Sequence, residues 1–507
     1  MPKASLPKAI RDMSEVLVST TDTSQAVWKA ASSRQLRKLA PRLYTRNLTD
    51  SPETIVRRNL WTIAGGFFPG ALIADRTALE NMPAHDGSIC LIAGKKMQDV
   101  HLPGLVLRPR AGPPPLETDR PYVGNLHLSS VARAYLENMR PTRTRAGLIR
   151  RTLTRGEIEE RLDTLIRHGG EQEAKRLRDD ARAIAGALDL KQEFTELDAL
   201  IGALLGTREA RLSAPAAVAR SQGRPYDSNR MVLFDELHRA LRLYPPVSRP
   251  ARQRPAEGTA TLAFFEAYFS NFIEGTEFEV AEAIDIVFHE TISRERPQDA
   301  HDVLGTWRVV SNTDEMSSTP RDAAALMRSL KSRHAAIMGG RPEVLPGQFK
   351  QKTNRAGATV FVEPELVAGT LEQGLIFCRS LEMPFQRAVF MMFLIAEVHP
   401  FMDGNGRTAR IMMNAELVAA REERIVIPTV FRSTYLSALR ALSQNKIAEP
   451  LLRTLDHAQR WTAAVGWASL PATTQALETC NAFLNSEAAE QDGKRLLMPS
   501  EALSTGG

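Results

Sequence analysis

The spacing of apolar positions changes character twice along the 507 residues. Up to about Gly112, short helical and strand patterns alternate. Ser24, preceded by Ser/Thr start signals, predicts a helix over 25–40, and 42–45 reads as a short strand. Ser51-Pro52-Glu53-Thr54 opens a second helix with Ser51 as N-cap and Pro52 in its first turn, and Gly65-Gly66 with Pro69-Gly70 end it. Strand-like runs follow at 88–93 and 100–107, before a boundary at Pro113-Pro114-Pro115. Residues 120–245 are mostly helical, with Thr154 and Glu157 at capping-box spacing ahead of a helix reaching about Ile184. Four prolines between Tyr244 and Pro255 mark a semi-rigid linker. Beyond it, apolar residues recur at i, i+3 and i+4 over 262–273, 280–288 and 323–338, as on amphipathic helices. The segment 384–398 is apolar nearly all round, which predicts a helix buried inside a bundle.

These patterns predict a mainly α chain. The expected parts are an α+β domain (1–112), an Arg-rich helical connector (113–245), a linker (246–256), a helical bundle (257–470) and a loosely helical tail (471–507). The longest unbroken apolar run, 388–396, is too short to cross a bilayer, so no membrane partner is expected. The Met-Pro-Lys-Ala-Ser start lacks the apolar core of a secretory signal. Three scattered cysteines, Cys90, Cys378 and Cys480, exclude a disulfide framework and predict a reducing cytoplasm. The net charge of +6 rests on 65 basic and 59 acidic residues and says little about function. Six arginines and no acid between Arg140 and Arg155 are the densest basic stretch.

One loop carries chemistry. After the buried helix the sequence reads His399-Pro-Phe-Met-Asp403-Gly404-Asn405-Gly406-Arg407-Thr-Ala-Arg410, and then a helix. Glycines at 404 and 406 let backbone approach a ligand closely. Unpaired N–H groups of the following first turn form an anion cradle, with Asn405 as a further donor. Arg407 and Arg410, three apart, can clamp successive phosphates. Asp403 is a hard oxygen ligand suited to Mg²⁺, and His399 can take a proton from a hydroxyl. Singly, each residue is ordinary in a turn or on a solvated face. Together, the eight fixed positions of H-x-F-x-[DE]-G-N-G-R-x-x-R would recur by chance in roughly one chain in ten million, so coincidence is rejected.

This string resembles the signature of Fic-domain protein adenylyltransferases, which move AMP from ATP to a hydroxyl side chain of a target protein. The resemblance covers about 210 of the 507 residues. It implies His399 as general base toward a Ser, Thr or Tyr hydroxyl and Asp403 as Mg²⁺ ligand. It further implies Gly404, Asn405 and Gly406 as the phosphate-binding backbone, and Arg407 and Arg410 as holders of the outer phosphates. Ser270-Asn-Phe-Ile-Glu274-Gly275 resembles the family's inhibitory motif, [ST]-x-x-x-E-[GN], in which the glutamate reaches the second arginine, here Arg410. A carboxylate there competes with phosphate for one guanidinium. Residues 346–350 and 358–364 resemble the family's flap, a β-hairpin that docks an extended target strand, which implies Lys350, Val360, Phe361 and Val362 as docking residues. Lys350 stands where the family frequently has arginine.

The front, 26–110, resembles more loosely the winged-helix domains of AbiEi-like antitoxins. That implies DNA as a partner, with Arg76 and Thr77 opening a recognition helix and Lys95-Lys96 on a wing, or else a protein-binding winged helix. The functional expectation is a cytoplasmic protein adenylyltransferase using ATP and Mg²⁺, restrained by Glu274. The alternatives are a DNA-binding regulator of the toxin–antitoxin kind, or removal of AMP from targets with Glu274 positioning water.

Overall fold

The computed structural model describes residues 14–505 apart from 96, 145, 146, 246, 293, 294 and 358. Lys96, Arg145, Pro246, Ala358 and residues 1–5 and 506–507 lie outside that description. The chain forms two compact units that divide between Gly223 and Arg224. Among the described residues, no helix is long and apolar enough to cross a membrane.

The first unit is α+β. Strands Val16–Val18, Leu43–Thr45 and Arg37–Ala40 form an antiparallel sheet in that order. The helix expected over 25–40 is therefore cut short: it spans Ser24–Ser32, Arg34 takes positive φ, and the chain turns into strand Arg37–Ala40. Pairing with Leu43–Thr45 wins over local helix preference. Ser51 does cap the next helix, accepting a hydrogen bond from the Thr54 N–H. A six-stranded mixed sheet follows, with hydrogen-bonded order Val100–Leu102, Leu105–Arg110, Ser88–Ile92, Leu72–Ile73, Leu126–Leu128, Arg120–Tyr122. Because Leu126–Leu128 pairs in parallel with Leu72–Ile73, the sheet runs through the expected boundary at 112. The connector's helices Val131–Asn138, Arg155–Ala185, Lys191–Leu204 and Pro215–Ser221 belong to this unit, the second of them opened by the expected Thr154/Glu157 capping box.

The supposed recognition helix also needs correcting. Helix Asp75–Glu80 is six residues long, and Asp75, Arg76 and Thr77 are buried. Arg76 is held by Glu80 and Glu157, so neither it nor Thr77 is presented to a groove. Within the arginine run, Arg151 is drawn inside to Asp75, while Arg140 and Arg155 pair with Glu193 and Glu159 but stay largely exposed.

The second unit is the helical bundle. Pro384–Val398 is a helix along its whole expected length, and residues 388–395 are fully buried. Asn405–Ala419 packs beside it, with Ala323–Met338, Val367–Arg379 and Arg432–Asn445 around the same core. Helix Ser228–Leu243, assigned above to the connector, instead puts Leu233, Phe234, Leu237 and Leu241 into this core, and Phe234 meets Phe390 at 5.8 Å. The proline-rich linker is a strap: the Ala251 N–H donates to Arg421, the Glu423 N–H to Arg249, and Arg254 pairs with Glu423. The expected tail is also folded in, since helices Leu470–Thr479 and Ser486–Gln491 bury Leu477 and Ala489 against the cluster around Phe265 and Trp461.

The boundary is testable. A fragment beginning at Arg224 is expected to unfold cooperatively. One beginning at residue 257 loses four buried apolar side chains worth about 1.5–3 kcal/mol each, so urea denaturation should show it unfolded or molten.

Candidate active site

The motif loop lies between two helix ends. Helix Pro384–Val398 stops at His399, which adopts the left-handed conformation (φ 53°) as its C-terminal cap. Helix Asn405–Ala419 starts after Gly404, also left-handed (φ 73°). The first-turn N–H groups of that helix have no partner within it, so this end is the expected anion cradle.

The loop is fixed from outside. The Phe401 ring is fully buried and lies face to face with His334, centroids 3.7 Å apart. The Gly347 N–H donates to His334 Nδ1, so its proton sits on Nε2, which donates to the Asp403 carbonyl at 3.0 Å. Lys350 is buried, not offered to a target: its N–H donates to the Pro400 carbonyl and its Nζ to Asn354 and the Val398 carbonyl. Asn354 Nδ2 donates to the Phe401 carbonyl. Burial, with help from Arg230, lowers the Lys350 ammonium to about 7. Val362 is likewise a core residue. Of the expected docking residues, Val360 is exposed, on a two-stranded hairpin formed by Arg355–Ala356 and Thr359–Val360. Phe361 stacks on the His399 ring at 3.8 Å, nearly parallel.

His399 keeps some access to solvent and lines a cavity of about 560 Å³ with Phe361, Gly406, Arg410, Glu274 and Tyr435. Its Nδ1 lies 3.2 Å from the Ala396 carbonyl, which can only accept, so the free lone pair is on Nε2. Burial and then the Lys350 charge push this imidazole down to about 4, against the opposing pull of the Ala396 carbonyl, Glu274 and Asp403. It is a neutral base at pH 7.

The cradle's expected members divide into two groups. Gly406 and Arg410 face the cavity. Arg410 Nη2 donates to Glu274 Oε1 at 2.7 Å and to the Ser270 carbonyl at 2.8 Å, while its Nε donates to Ser270 Oγ at 3.0 Å. The helix bearing Ser270 ends at Glu274, and Gly275 takes φ 88°, which frees the chain to turn away. A Cβ placed on Gly406 would stand 2.1 Å from Glu274 Oε1. Glu274 therefore sets its carboxylate at the cradle, where only glycine leaves room for it. Asp403 is exposed, and its Oδ1 accepts from the Gly404 N–H at 2.7 Å.

Two expected members turn their side chains away from the cavity. Asn405 spends its side chain on the loop, its Oδ1 accepting from the Phe401 N–H and its Nδ2 donating to the Phe401 carbonyl. Arg407 is buried, bound through Nη1 to Asp302 at 2.6 Å and to Asn271 Oδ1 at 3.2 Å. His334, Asn354, Asp302 and Tyr435 were missed, because nothing local distinguishes them from other bundle residues; Asn271 was in view, beside Ser270, but had no recognisable role.

The arrangement defines a class: a helical domain with a neutral histidine beside a helix-end anion cradle. Residues 325–417 match the model of the Fic/DOC family, so the chain carries a domain of that family. A protein adenylyltransferase Fic of Drosophila grimshawi is 24% identical over 233 residues, 45% of this chain and 47% of that one. That of Drosophila ananassae is 26% identical over 198 residues, 37% and 39% of the two chains. The chain thus spans about half the length or less of the curated relatives it matches. Among solved structures, Fic-1 from C. elegans aligns with 65% of this chain and 90% of its own at 17% identity, TM-score 0.36.

The two buried histidines predict a pH dependence of stability. His334, lowered to about 4 chiefly by burial, and His399 both fold with values below the ordinary 6.5. As pH falls through 6.5 the unfolded chain's imidazoles bind protons first, so the contribution of these two histidines to stability is complete above 6.5 and drains away down to about 4. Urea unfolding should show a loss of about 1.4 kcal/mol per pH unit for each imidazole in that window, reduced to one imidazole's share in His334→Gln.

Proposed function

We propose that this chain is a protein adenylyltransferase that transfers AMP from ATP to a hydroxyl of a target protein, and that Glu274 restrains it. The observation that carries this reading is the Glu274 carboxylate bound to Arg410 against the Gly406 backbone, an anion already seated where an outer phosphate would lie. The family match over 325–417 and the relatives named adenylyltransferase agree with it. The three free cysteines, all buried, are in keeping with a cytoplasmic location.

In the reaction, the target hydroxyl oxygen attacks the α-phosphorus, the bond to the β-phosphate oxygen breaks, and pyrophosphate leaves. His399 Nε2 takes the hydroxyl proton. Gly406 and the first-turn N–H groups receive negative charge without reorganising, and Arg410 turns from Glu274 to the outer phosphates. The site also fits Mg²⁺. Asp403 is an exposed carboxylate whose Oδ1 alone takes a hydrogen bond among the described residues. No group of three metal-ligating side chains exists among those residues. One carboxylate with substrate phosphates is how Mg²⁺ is commonly held, and the ion would neutralise phosphate charge there. The exposed Val360 edge of the hairpin is the proposed docking place for an extended target segment.

Purified protein with α-labelled ATP and Mg²⁺ tests this. Glu274→Gly should label itself or lysate proteins well above wild type, and His399→Ala in that background should lose about 10²–10⁴-fold. Chelating the metal should also abolish labelling. A Glu274→Gly protein that labels nothing would remove the proposal. Because His399 falls to about 4, the labelling rate of Glu274→Gly should not drop between pH 7.5 and 5.5 as an ordinary imidazole would require.

A further inference from the structure

Arg407 is the motif residue whose position conflicts with a phosphate-binding role. Its guanidinium is 3% exposed, while Gly406 before it and Arg410 after it both line the cavity. The two arginines are three positions apart, about 60° around the helix axis, so they share one side of the helix but reach different neighbours. Arg410 looks onto Ser270 and Glu274; Arg407 looks onto Asn271 and Asp302.

Asp302 is fully buried on helix Pro297–Ser311, and Arg341 Nε donates to the same Oδ2 at 2.8 Å. That helix has little freedom to shift, since a Cβ on its Gly305 would stand 2.4 Å from the Ala336 carbonyl of helix Ala323–Met338. Asn271, also fully buried, is anchored by its Nδ2 to the Ala267 carbonyl. For Arg407 to swing toward a phosphate it would have to leave a fully buried carboxylate with Arg341 as its one remaining cation and leave the buried Asn271 Oδ1 without its donor.

We propose that Arg407 is a positioning residue that clasps the first turn of the cradle helix to Asp302 and Asn271, and is not a phosphate ligand. The clasp joins three helices, Ala256–Ile273, Pro297–Ser311 and Asn405–Ala419, and keeps Gly406 facing the cavity. Ser270, Asn271 and Glu274 all belong to one short stretch, so the same segment holds both arginines, one permanently and one releasably. The exchange of Arg410 rests on the adenylyltransferase reading; the clasp itself does not.

The experiment is a double-mutant cycle in the Glu274→Gly full-length protein, with Arg407→Met, Asp302→Asn, the pair together, and Arg407→Lys. Thermal unfolding and the ATP dependence of labelling are both read. Arg407→Met and Asp302→Asn should each lower Tm and kcat, while the double variant should lose less than the sum of the two because neither charge of the pair is left facing a neutral partner and Arg341 keeps Asp299. Arg407→Lys should keep the ATP KM within about threefold of its parent. The proposal is overturned if Arg407→Met or Arg407→Lys raises the ATP KM about tenfold or more with Tm unchanged. It is equally overturned if Asp302→Asn leaves Tm unaffected or speeds labelling, as freeing a phosphate ligand would. Should Arg407→Met fail to fold, Arg407→Lys and Asp302→Asn decide alone. A parent that labels nothing removes the adenylyltransferase reading, while the Tm cycle still decides the clasp.

Discussion

A buried guanidinium needs an anion, and Arg410 has one place to find it. Its side chain is almost wholly enclosed, so stripping it of a partner would leave an unpaired charge in a poorly solvated setting. In the described state Glu274 supplies the negative charge and Ser270 the remaining acceptors. Gly406 makes the arrangement possible, because any side chain there would occupy the volume of the Glu274 carboxylate. In the proposed function, restraint and catalysis are therefore two occupancies of a single position.

Around that point the loop is held by its carbonyls. Val398 and Pro400 accept from Lys350, Phe401 from Asn354 and Asn405, and Asp403 from His334. These donors come from helix Ala323–Met338, from the segment leading into the hairpin, and from the cradle helix itself. Arg230 adds a strut, pairing with Glu397 one turn before the loop and donating to the Val360 carbonyl of the hairpin. The proposed transfer at phosphorus would depend mainly on placement, and this scaffold gives placement without committing His399 Nε2 or the first-turn N–H groups.

Much of the second unit was legible in the chain. Nine consecutive apolar residues in a helical setting could only be a bundle centre, and Pro384–Val398 is that. Glu274 could be connected with Arg410 across more than a hundred residues because both sit in recognisable strings. Lys350 and Val362 misled, since a flap sequence does not reveal which of its side chains turn inward. The front half was harder. Four of the six strands in its larger sheet have only two or three residues, such as Leu72–Ile73, too short for alternation to register. Its arginines look like a basic patch in sequence and prove to be partners of Asp75, Glu159 and Glu193.

Sequence alone determined the chemistry available: a base, a carboxylate, two glycines and two arginines at spacings that place them around the start of one helix. Local geometry carries that information, because residues within a turn or two share a fixed relation whatever surrounds them. Which arginine faces the cavity was decided only by tertiary structure. Arg407 and Arg410 are chemically identical and three residues apart; Asp302, 105 residues before Arg407, draws one inward, and Glu274, 136 before Arg410, holds the other at the cavity. The pairing of Arg407 with Asp302 follows from how helices pack, and no local pattern encodes it.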